Sequence, residues 1–270
     1  MEFGICGRVE DAAQFADAGF DYFECGVADA LAPMLGDDEW KAKREAILAA
    51  ALPMRACNGF IPGDFRLTGP SANHAPALDY AERACRRADE VGCRYIVLGS
   101  GGARNVFGDF APGGSHADVE QGLVQFTDFC KALSGRIADC AVTVVIEPLR
   151  PNESNLVNYV WQAMQLVADV DSPRVEALAD IYHMMRGREG ADSIVAAGQH
   201  LKHCHVAMRS SRAWPGYEPA FELVPYFDAL KKIGYAGGVS CECGWPLRDG
   251  QELADARREA AATLRELAGR

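Results

Sequence analysis

The sequence has no apolar run of the roughly 18 to 20 residues that a helix needs to cross a bilayer. It also lacks a signal-peptide pattern at its start, where Met1 leads directly into the strand-like segment Glu2–Cys6. These two absences argue against a membrane partner and against secretion. We therefore expect a cytoplasmic protein.

Basic residues are too few to balance the acidic ones. The chain has 27 Lys and Arg against 38 Asp and Glu, which gives a formal net charge of -11. Because an acidic surface repels phosphate backbones, this composition disfavours a nucleic-acid partner.

Paired CxxC motifs are absent although the chain has ten cysteines, most of them inside apolar runs. Disulfide-rich and zinc-binding proteins usually space their cysteines in recognisable patterns. The observed distribution instead favours reduced thiols that are buried as small apolar side chains.

Short β-rich runs alternate with amphipathic segments along the whole chain, a pattern typical of a parallel sheet built from βα units. Eight such runs can be counted, at residues 3–6, 22–25, 54–58, 95–98, 142–146, 175–179, 201–206 and 238–241. An eight-fold α/β barrel takes about 250 residues, close to the 270 of this chain. We predict an α/β protein with one (β/α)8 TIM-barrel domain over residues 1–270.

The segments between these runs repeat apolar residues at steps of three or four, which predicts helices packed on the barrel. One predicted face consists of Leu123, Phe126, Cys130, Leu133 and Ile137, and another of Val157, Val160, Trp161, Met164 and Val167. Asn155 is a candidate cap for the second helix. The last helix is predicted from about residue 249 to residue 268.

Segments rich in glycine and proline follow the third, fourth and seventh predicted strands, at residues 59–70, 99–114 and 214–219. In a barrel, these loops build the mouth, where functional side chains concentrate. Arg104 is a candidate contact to the substrate or to a neighbouring subunit. Candidate apolar walls against a ligand, with core packing as the alternative, are Phe60, Phe107, Trp214 and Trp245.

Four ionisable residues stand at or next to the ends of the last four predicted strands, namely Glu147, Asp180, His205 and Glu242. Each follows an apolar run, where an unpaired carboxylate is poorly solvated and a shared cation removes that cost. Three carboxylates and one imidazole suit Mn²⁺, Mg²⁺ or Co²⁺ better than a structural zinc. We predict one divalent metal ion, with Mn²⁺ as the first choice. A strand-end cap or a salt bridge is the alternative for each residue alone.

Five short segments at the strand ends carry a family resemblance. They are residues 99–104 (GSGGAR), 145–150 (VIEPLR) with Glu153, 179–184 (ADIYHM), 203–205 (HCH) followed by Pro215 and Gly216, and 241–245 (CECGW). In order and spacing they resemble the sugar isomerase and epimerase family of xylose-isomerase-like TIM barrels, which includes ketose 3-epimerases and hydroxypyruvate isomerase. The similarity extends over nearly the whole chain.

The resemblance implies roles for individual residues. It implies that Glu147, Asp180, His205 and Glu242, called the quartet below, bind the metal. It also implies that Glu147 and Glu242 transfer protons. It further implies that Glu153, His183 and an arginine shortly after His205 bind the substrate. The family usually places this arginine about six residues past the histidine and three before Pro-Gly. Arg212 lies seven residues past His205 and three before Pro215.

Arg212 is therefore the assigned arginine, and Arg209 is the alternative. For Glu153 the alternative is a solvated surface charge, and for His183 it is a loop histidine bonded to the backbone. His203 receives no ligand role.

Such a site would remove a proton α to a carbonyl and stabilise the resulting enediolate. We predict an isomerase or epimerase whose partner is a small carbohydrate: a ketose, a sugar phosphate or a small hydroxy-keto acid. The alternative is an inosose-type dehydratase on the same scaffold. A metallo-phosphodiesterase would need further ligands on the early strands, where only Glu24 occurs. A full ligand set disfavours a non-catalytic sugar-binding protein, and a homo-oligomer stays open.

Overall fold

Eight parallel strands close into a barrel in the protein, described here from a computed structural model that covers residues 1–106 and 116–269. The strands are β1 (Glu2–Cys6), β2 (Tyr22–Gly26), β3 (Met54–Asn58), β4 (Tyr95–Leu98), β5 (Thr143–Ile146), β6 (Val175–Asp180), β7 (Leu201–Val206) and β8 (Gly238–Cys241). They pair in chain order, and β8 pairs with β1. The TIM-barrel prediction is confirmed, and all eight predicted strands are present.

Helices follow the strands and cover the outside of the barrel. In the described ranges they are α1 (Ala12–Asp17), α2 (Val27–Ala30), α3 (Asp37–Leu48), α4 (His74–Glu90), α5 (Gly101–Arg104), α6 (His116–Arg136), α7 (Val160–Val170), α8 (Ile181–Gly187), α9 (Asp192–Ala197), α10 (Val224–Lys232) and α11 (Leu253–Gly269). The predicted last helix therefore begins a few residues later than expected. None of the described helices is long and apolar enough to span a bilayer.

The barrel interior has an apolar side and a polar side. A separate apolar cluster on β4, β5 and β6 consists of Val97, Val145 and Leu178. On the polar side, the Tyr22 ring fills space that glycines leave, because a Cβ at Gly4 would collide with this ring and a Cβ at Gly238 with its hydroxyl end. The Tyr22 hydroxyl lies 2.8 Å from Ser240 Oγ. Buried polar groups thus continue down the barrel below the mouth.

The predicted helix faces are partly right. Phe126, Cys130 and Leu133 of α6 are fully buried, as expected. The prediction for Trp161 is wrong, because this side chain is 52% exposed. Helix α7 packs through Val160, and a residue one position further lies about 100° around the helix. The Trp161 ring instead stacks on Tyr159.

Asn155 does not cap α7, which begins only at Val160. Its side chain instead accepts a hydrogen bond from the Val106 N–H at 3.1 Å and so joins two mouth loops. The first N–H group of α7 donates to the carboxylate of Glu189, at 3.0 and 3.1 Å. Because this acceptor comes from a later segment, the local pattern could not reveal it.

All ten cysteines carry free thiols, and eight of them are buried. Burial raises the pKa of several of these thiols, including Cys85 and Cys130. They therefore pack as neutral, small side chains, in agreement with the expectation from the sequence.

Candidate metal centre at the barrel mouth

Four side chains from the second half of the barrel converge at the carboxyl ends of the strands. Asp180 ends β6, His205 lies in β7, and Glu147 and Glu242 directly follow β5 and β8. Each offers one ligand atom, and these atoms all lie within 4.8 Å of one another. Glu242 is half-buried and the other three are buried. The structure thus brings together the four residues that the sequence predicted as metal ligands.

Asp180 uses its two carboxylate oxygens differently. Oδ1 accepts the backbone N–H groups of Tyr182 and His183 at 2.7 and 3.2 Å, which caps the N-terminus of α8. Oδ2 faces the centre and lies 3.5 Å from Nε2 of His183. Helix α8 therefore fixes the Asp180 carboxylate and leaves Oδ2 available to a metal ion.

Glu147 fits because residue 99 is glycine. A Cβ at Gly99 would collide with Oε2 of Glu147. Although burial opposes its charge, the hydrogen bond and the charge of His205 lower the pKa of Glu147. Arg104 donates to the Glu147 carbonyl at 3.0 Å and is fully buried. Arg104 therefore holds the backbone of Glu147 from inside the protein. The expectation that it contacts substrate or another subunit is wrong, because its side chain is not exposed.

His205 lies between two carboxylates. Its Nδ1 lies 3.2 Å from Oε1 of Glu147 and its Nε2 lies 2.9 Å from Oε1 of Glu24. Glu24 Oε2 in turn lies 2.9 Å from Nε2 of His203. His203 therefore points into the barrel, one layer below His205, and contacts Glu24 instead of the centre.

Glu242 has two further partners at the mouth. Asn58 donates to its Oε1 at 3.3 Å, and Arg212 donates to its Oε2 at 2.8 Å. Burial and the charges of Glu147 and Asp180 raise the pKa of Glu242 to about 8, against the opposing charge of His205. Three carboxylates so close together are difficult to ionise without a cation, and their oxygens are the donors that hard divalent metals prefer. The residues present therefore fit a divalent metal ion.

The three residues implied in substrate binding lie beside this centre. Arg212 Nη1 lies 3.4 Å from Oε1 of Glu153, and Nε2 of His183 lies 3.7 Å from Oε2 of the same carboxylate. Arg209 instead lies 3.8 Å from Glu222 and is about half exposed. The structure therefore places Arg212, and not Arg209, next to the quartet.

His183 has an unused donor at the site. Its Nδ1 accepts the Arg150 N–H at 3.4 Å, so the ring proton of the neutral imidazole resides on Nε2. This Nε2 is buried and has no hydrogen-bond partner. A buried donor without a partner is costly, and a substrate oxygen would satisfy it.

Sequence reasoning gave no role to Glu24, Asn58 and Tyr182, which all touch the site residues. The Tyr182 hydroxyl accepts a hydrogen bond from Arg150 at 2.8 Å, and its ring lies 4.8 Å from the Arg212 guanidinium carbon. Of these three residues, only Glu24 has a signal in the sequence. It interrupts an otherwise apolar strand, where a carboxylate needs a partner.

The aromatic candidates for the mouth have different environments. Phe60 and Trp214 are fully buried, so they belong to the core. Trp245 is partly buried and stacks on Trp214 with ring centroids 6.4 Å apart. Phe107 lies outside the described residues.

The sequence is similar to known proteins over most of its length. Residues 12–267 match the family model described as a xylose isomerase-like TIM barrel. The 3-dehydro-D-guloside 4-epimerase of Escherichia coli (strain K12) is 27% identical, over 92% of this chain and 90% of that protein. The L-ribulose 3-epimerase of Methylomonas sp. (strain DH-1) is 29% identical, but the alignment covers only 41% of this chain and 38% of that protein.

Solved structures share the same architecture. The 3-keto-D-glucoside 4-epimerase YcjR from E. coli, in its apo form, has a TM-score of 0.81 at 22% identity and covers 98% of this chain and 99% of that one. The IOLI protein with a bound zinc atom has a TM-score of 0.72 at 18% identity and covers 100% and 98%. At these identities the likeness establishes the fold.

Proposed function

The chain belongs to the xylose isomerase-like TIM barrel family, and from this premise we propose that it is a divalent-metal-dependent carbohydrate epimerase or isomerase. The two curated relatives described above are sugar epimerases. One observation carries the proposal: the ligand atoms of Glu147, Asp180, His205 and Glu242 lie within 4.8 Å of one another. They lie at the carboxyl ends of the strands, where barrel enzymes have their active sites.

These four residues would hold the cation. Mn²⁺ is our first choice because the donors are mainly carboxylate oxygens, and Mg²⁺ or Co²⁺ would fit the same set. The zinc atom in the IOLI protein supports a divalent metal in this fold. When bound, the cation polarises the substrate carbonyl and stabilises negative charge on its oxygen.

Glu147 and Glu242 are assigned the proton transfers. They follow β5 and β8, three steps around an eight-stranded barrel, or about 135° of its circumference, so they approach a substrate from different sides. One carboxylate removes the proton from the carbon next to the carbonyl, and the substrate becomes an enediolate. The other, protonated, returns a proton to the opposite face and inverts the configuration. Return to the adjacent carbon instead gives aldose–ketose isomerisation.

His183, Glu153 and Arg212 are assigned to substrate binding. The unpartnered Nε2–H of His183 donates to a substrate oxygen, which satisfies this buried donor. Arg212 contacts both Glu242 and Glu153, at 2.8 and 3.4 Å, and so holds a proton-transfer group beside a substrate-binding residue. These contacts orient the substrate before the proton moves.

The substrate we propose is a sugar with a hydroxyl on the carbon next to a ketone. Such a group allows proton removal to form an enediolate. L-ribulose, a free ketose, and a 3-dehydro-D-guloside, a keto glycoside, both have this hydroxy-ketone group and are the compounds for which the two relatives are named. Both belong in a substrate panel, together with sugar phosphates and small hydroxy-keto acids.

Carbon-bound deuterium tests the proposal. The protein is incubated with Mn²⁺ and each compound of the panel in D₂O, and deuterium at carbon is followed by NMR. We expect exchange at the carbon next to the carbonyl in at least one compound, with the skeleton intact. A dehydrated product would indicate a lyase, and no exchange in any compound would contradict the proposal.

Two substitutions test the proton-transfer roles. We expect Glu147→Gln and Glu242→Gln each to abolish exchange, because an amide cannot accept the proton. Glu222→Gln serves as the matched control, since Glu222 lies by Arg209 away from the centre. Retained exchange in either site variant would refute the role of that residue.

A further inference from the structure

Glu24 is a fully buried carboxylate inside the barrel, on β2, and two histidines of β7 share it. Its Oε1 lies 2.9 Å from Nε2 of His205, and its Oε2 lies 2.9 Å from Nε2 of His203. Strands β2 and β7 are not neighbours in the sheet, so the contact crosses the barrel interior. Apolar side chains would fill this space at a lower desolvation cost than a charge. A charge at this place is therefore tolerated only because Glu24 bonds both histidines.

An ionised carboxylate only accepts hydrogen bonds, so both contacts require the ring proton on Nε2. A cation bound at the centre takes the place of the second ring proton of His205, so Nδ1 then offers its lone pair while Nε2 keeps its proton. This Nδ1 lies 3.2 Å from Oε1 of Glu147 and 3.6 Å from Oε2 of Glu242. The contact with Glu24 thus occupies Nε2 and leaves Nδ1 as the ring atom that faces the centre.

His203 is bound in a way that holds Glu24. Its Nε2 also lies 3.3 Å from Ser240 Oγ, which lies 2.8 Å from the Tyr22 hydroxyl. Its ring stacks on Tyr95, with centroids 5.6 Å apart. Nδ1 of His203 is buried without a partner, so the polar contacts of this ring are all made through Nε2.

We infer that Glu24 is a positioning residue: held by His203, it fixes the tautomer and orientation of His205 so that Nδ1 is the metal ligand. The inference rests on the proposed metal site. Residues that bond the far nitrogen of a ligand histidine typically change metal affinity 10- to 100-fold when mutated. Glu24 has this arrangement, although it is not itself one of the four ligands.

Glu24→Gln in the full-length chain is the main test. The amide keeps the shape of the side chain but offers only one acceptor, so one histidine loses its partner. We expect the Mn²⁺ affinity, measured by isothermal titration calorimetry, to fall about 10- to 100-fold. Glu176→Gln is the matched control, because it changes another buried glutamate that bonds a histidine, His200 at 2.8 Å, at the end of β6 opposite to Asp180. Its Mn²⁺ affinity should stay within about threefold even if its melting temperature falls.

A second readout needs no variant. In the zinc-loaded wild-type protein with ¹⁵N-labelled histidine, we expect His205 to show its ring proton on Nε2 and its metal on Nδ1. The opposite assignment would overturn the inference, even if Glu24→Gln did not fold. Equal Mn²⁺ affinity of Glu24→Gln and wild type would overturn it as well. A wild-type protein that binds no Mn²⁺ would overturn the proposed function, which separates the two failures.

Discussion

Two of the proposed ligands divide their polar atoms between the protein and the site. Asp180 gives Oδ1 to the backbone of α8, and His205 gives Nε2 to Glu24. The atom left over in each case faces the other ligands. Glu147 depends on space instead, because its carboxylate occupies the volume that a side chain at residue 99 would need. At the scale of single residues, the centre is thus oriented by hydrogen bonds and by close packing.

Gly99→Ala tests this dependence on space. The new methyl group would collide with Oε2 of Glu147, so the carboxylate must move away from its position at the centre. We expect the Mn²⁺ affinity to fall roughly tenfold or more and the free energy of unfolding to fall by about 1–3 kcal/mol. Calorimetric titration and denaturant unfolding measure the two effects.

Gly102→Ala, in the same loop region, is the control for Gly99→Ala. A Cβ there would meet only the Cα of Gly63, at an ordinary 3.4 Å. Its Mn²⁺ affinity should equal that of the wild type. Equal affinities for both variants would show that Glu147 does not need the space at Gly99.

The loops after β4 and β5 are joined to each other by Arg104, at the end of α5. Its guanidinium donates to the carbonyls of Leu98, Glu147 and Val157 and to the Ser154 hydroxyl, at 3.0 to 3.3 Å. Burial lowers the pKa of Arg104 to about 10. At the scale of elements, one buried cation therefore connects the strand ends with the loop that contains Glu153.

Arg104→Met should destabilise the protein strongly. The substitution leaves buried carbonyl groups without a donor, and we expect a loss of about 3–5 kcal/mol in the free energy of unfolding. Denaturant unfolding followed by circular dichroism measures it. Arg86→Met is the control, because Arg86 forms partly exposed salt bridges and should change stability by about 0–1 kcal/mol. Similar losses in both variants would contradict this view of Arg104.

Barrel closure brings together residues that lie far apart in the chain. The quartet comes from β5 to β8, and Glu24 reaches it from β2 across the interior. A cation bound at this place would contact the ends of four strands. At the scale of the whole molecule, binding should therefore stabilise the barrel as a unit.

Mn²⁺ should raise the melting temperature of the wild-type protein. At a free concentration of 100 times Kd the stabilisation is about 2.7 kcal/mol, which corresponds to roughly 5–10 °C for a domain of this size. Differential scanning calorimetry with and without EDTA measures the shift. Asp180→Ala removes one proposed ligand and should abolish most of the shift, whatever its own stability. A shift of the same size in that variant would count against the quartet as the binding site.

The sequence predicted the strands well because buried parallel strands are short, apolar and separated by amphipathic helices. It was wrong about the cap of α7 because the partners come from distant segments: Asn155 bonds Val106, and Glu189 caps the helix. It was wrong about Trp161 for a local reason, since this residue lies about 100° around α7 from the packed Val160. The choice between Arg209 and Arg212 depended on the loop after β7, where Arg212 adopts a left-handed conformation with φ of 53°. The spacing of residues in the chain does not determine such a loop.

The sequence by itself determined the barrel and the quartet at its mouth, because hydrophobic periodicity is local and the carboxyl ends of parallel strands share one edge. Only the tertiary structure decided which atom of each residue faces the centre. The hydrogen bond that Glu24 accepts from His205, the bonds that the α8 backbone donates to Asp180, and the space at Gly99 orient these residues in the closed barrel. These contacts depend on distances of a few ångströms across the fold, and no local pattern in the chain records them.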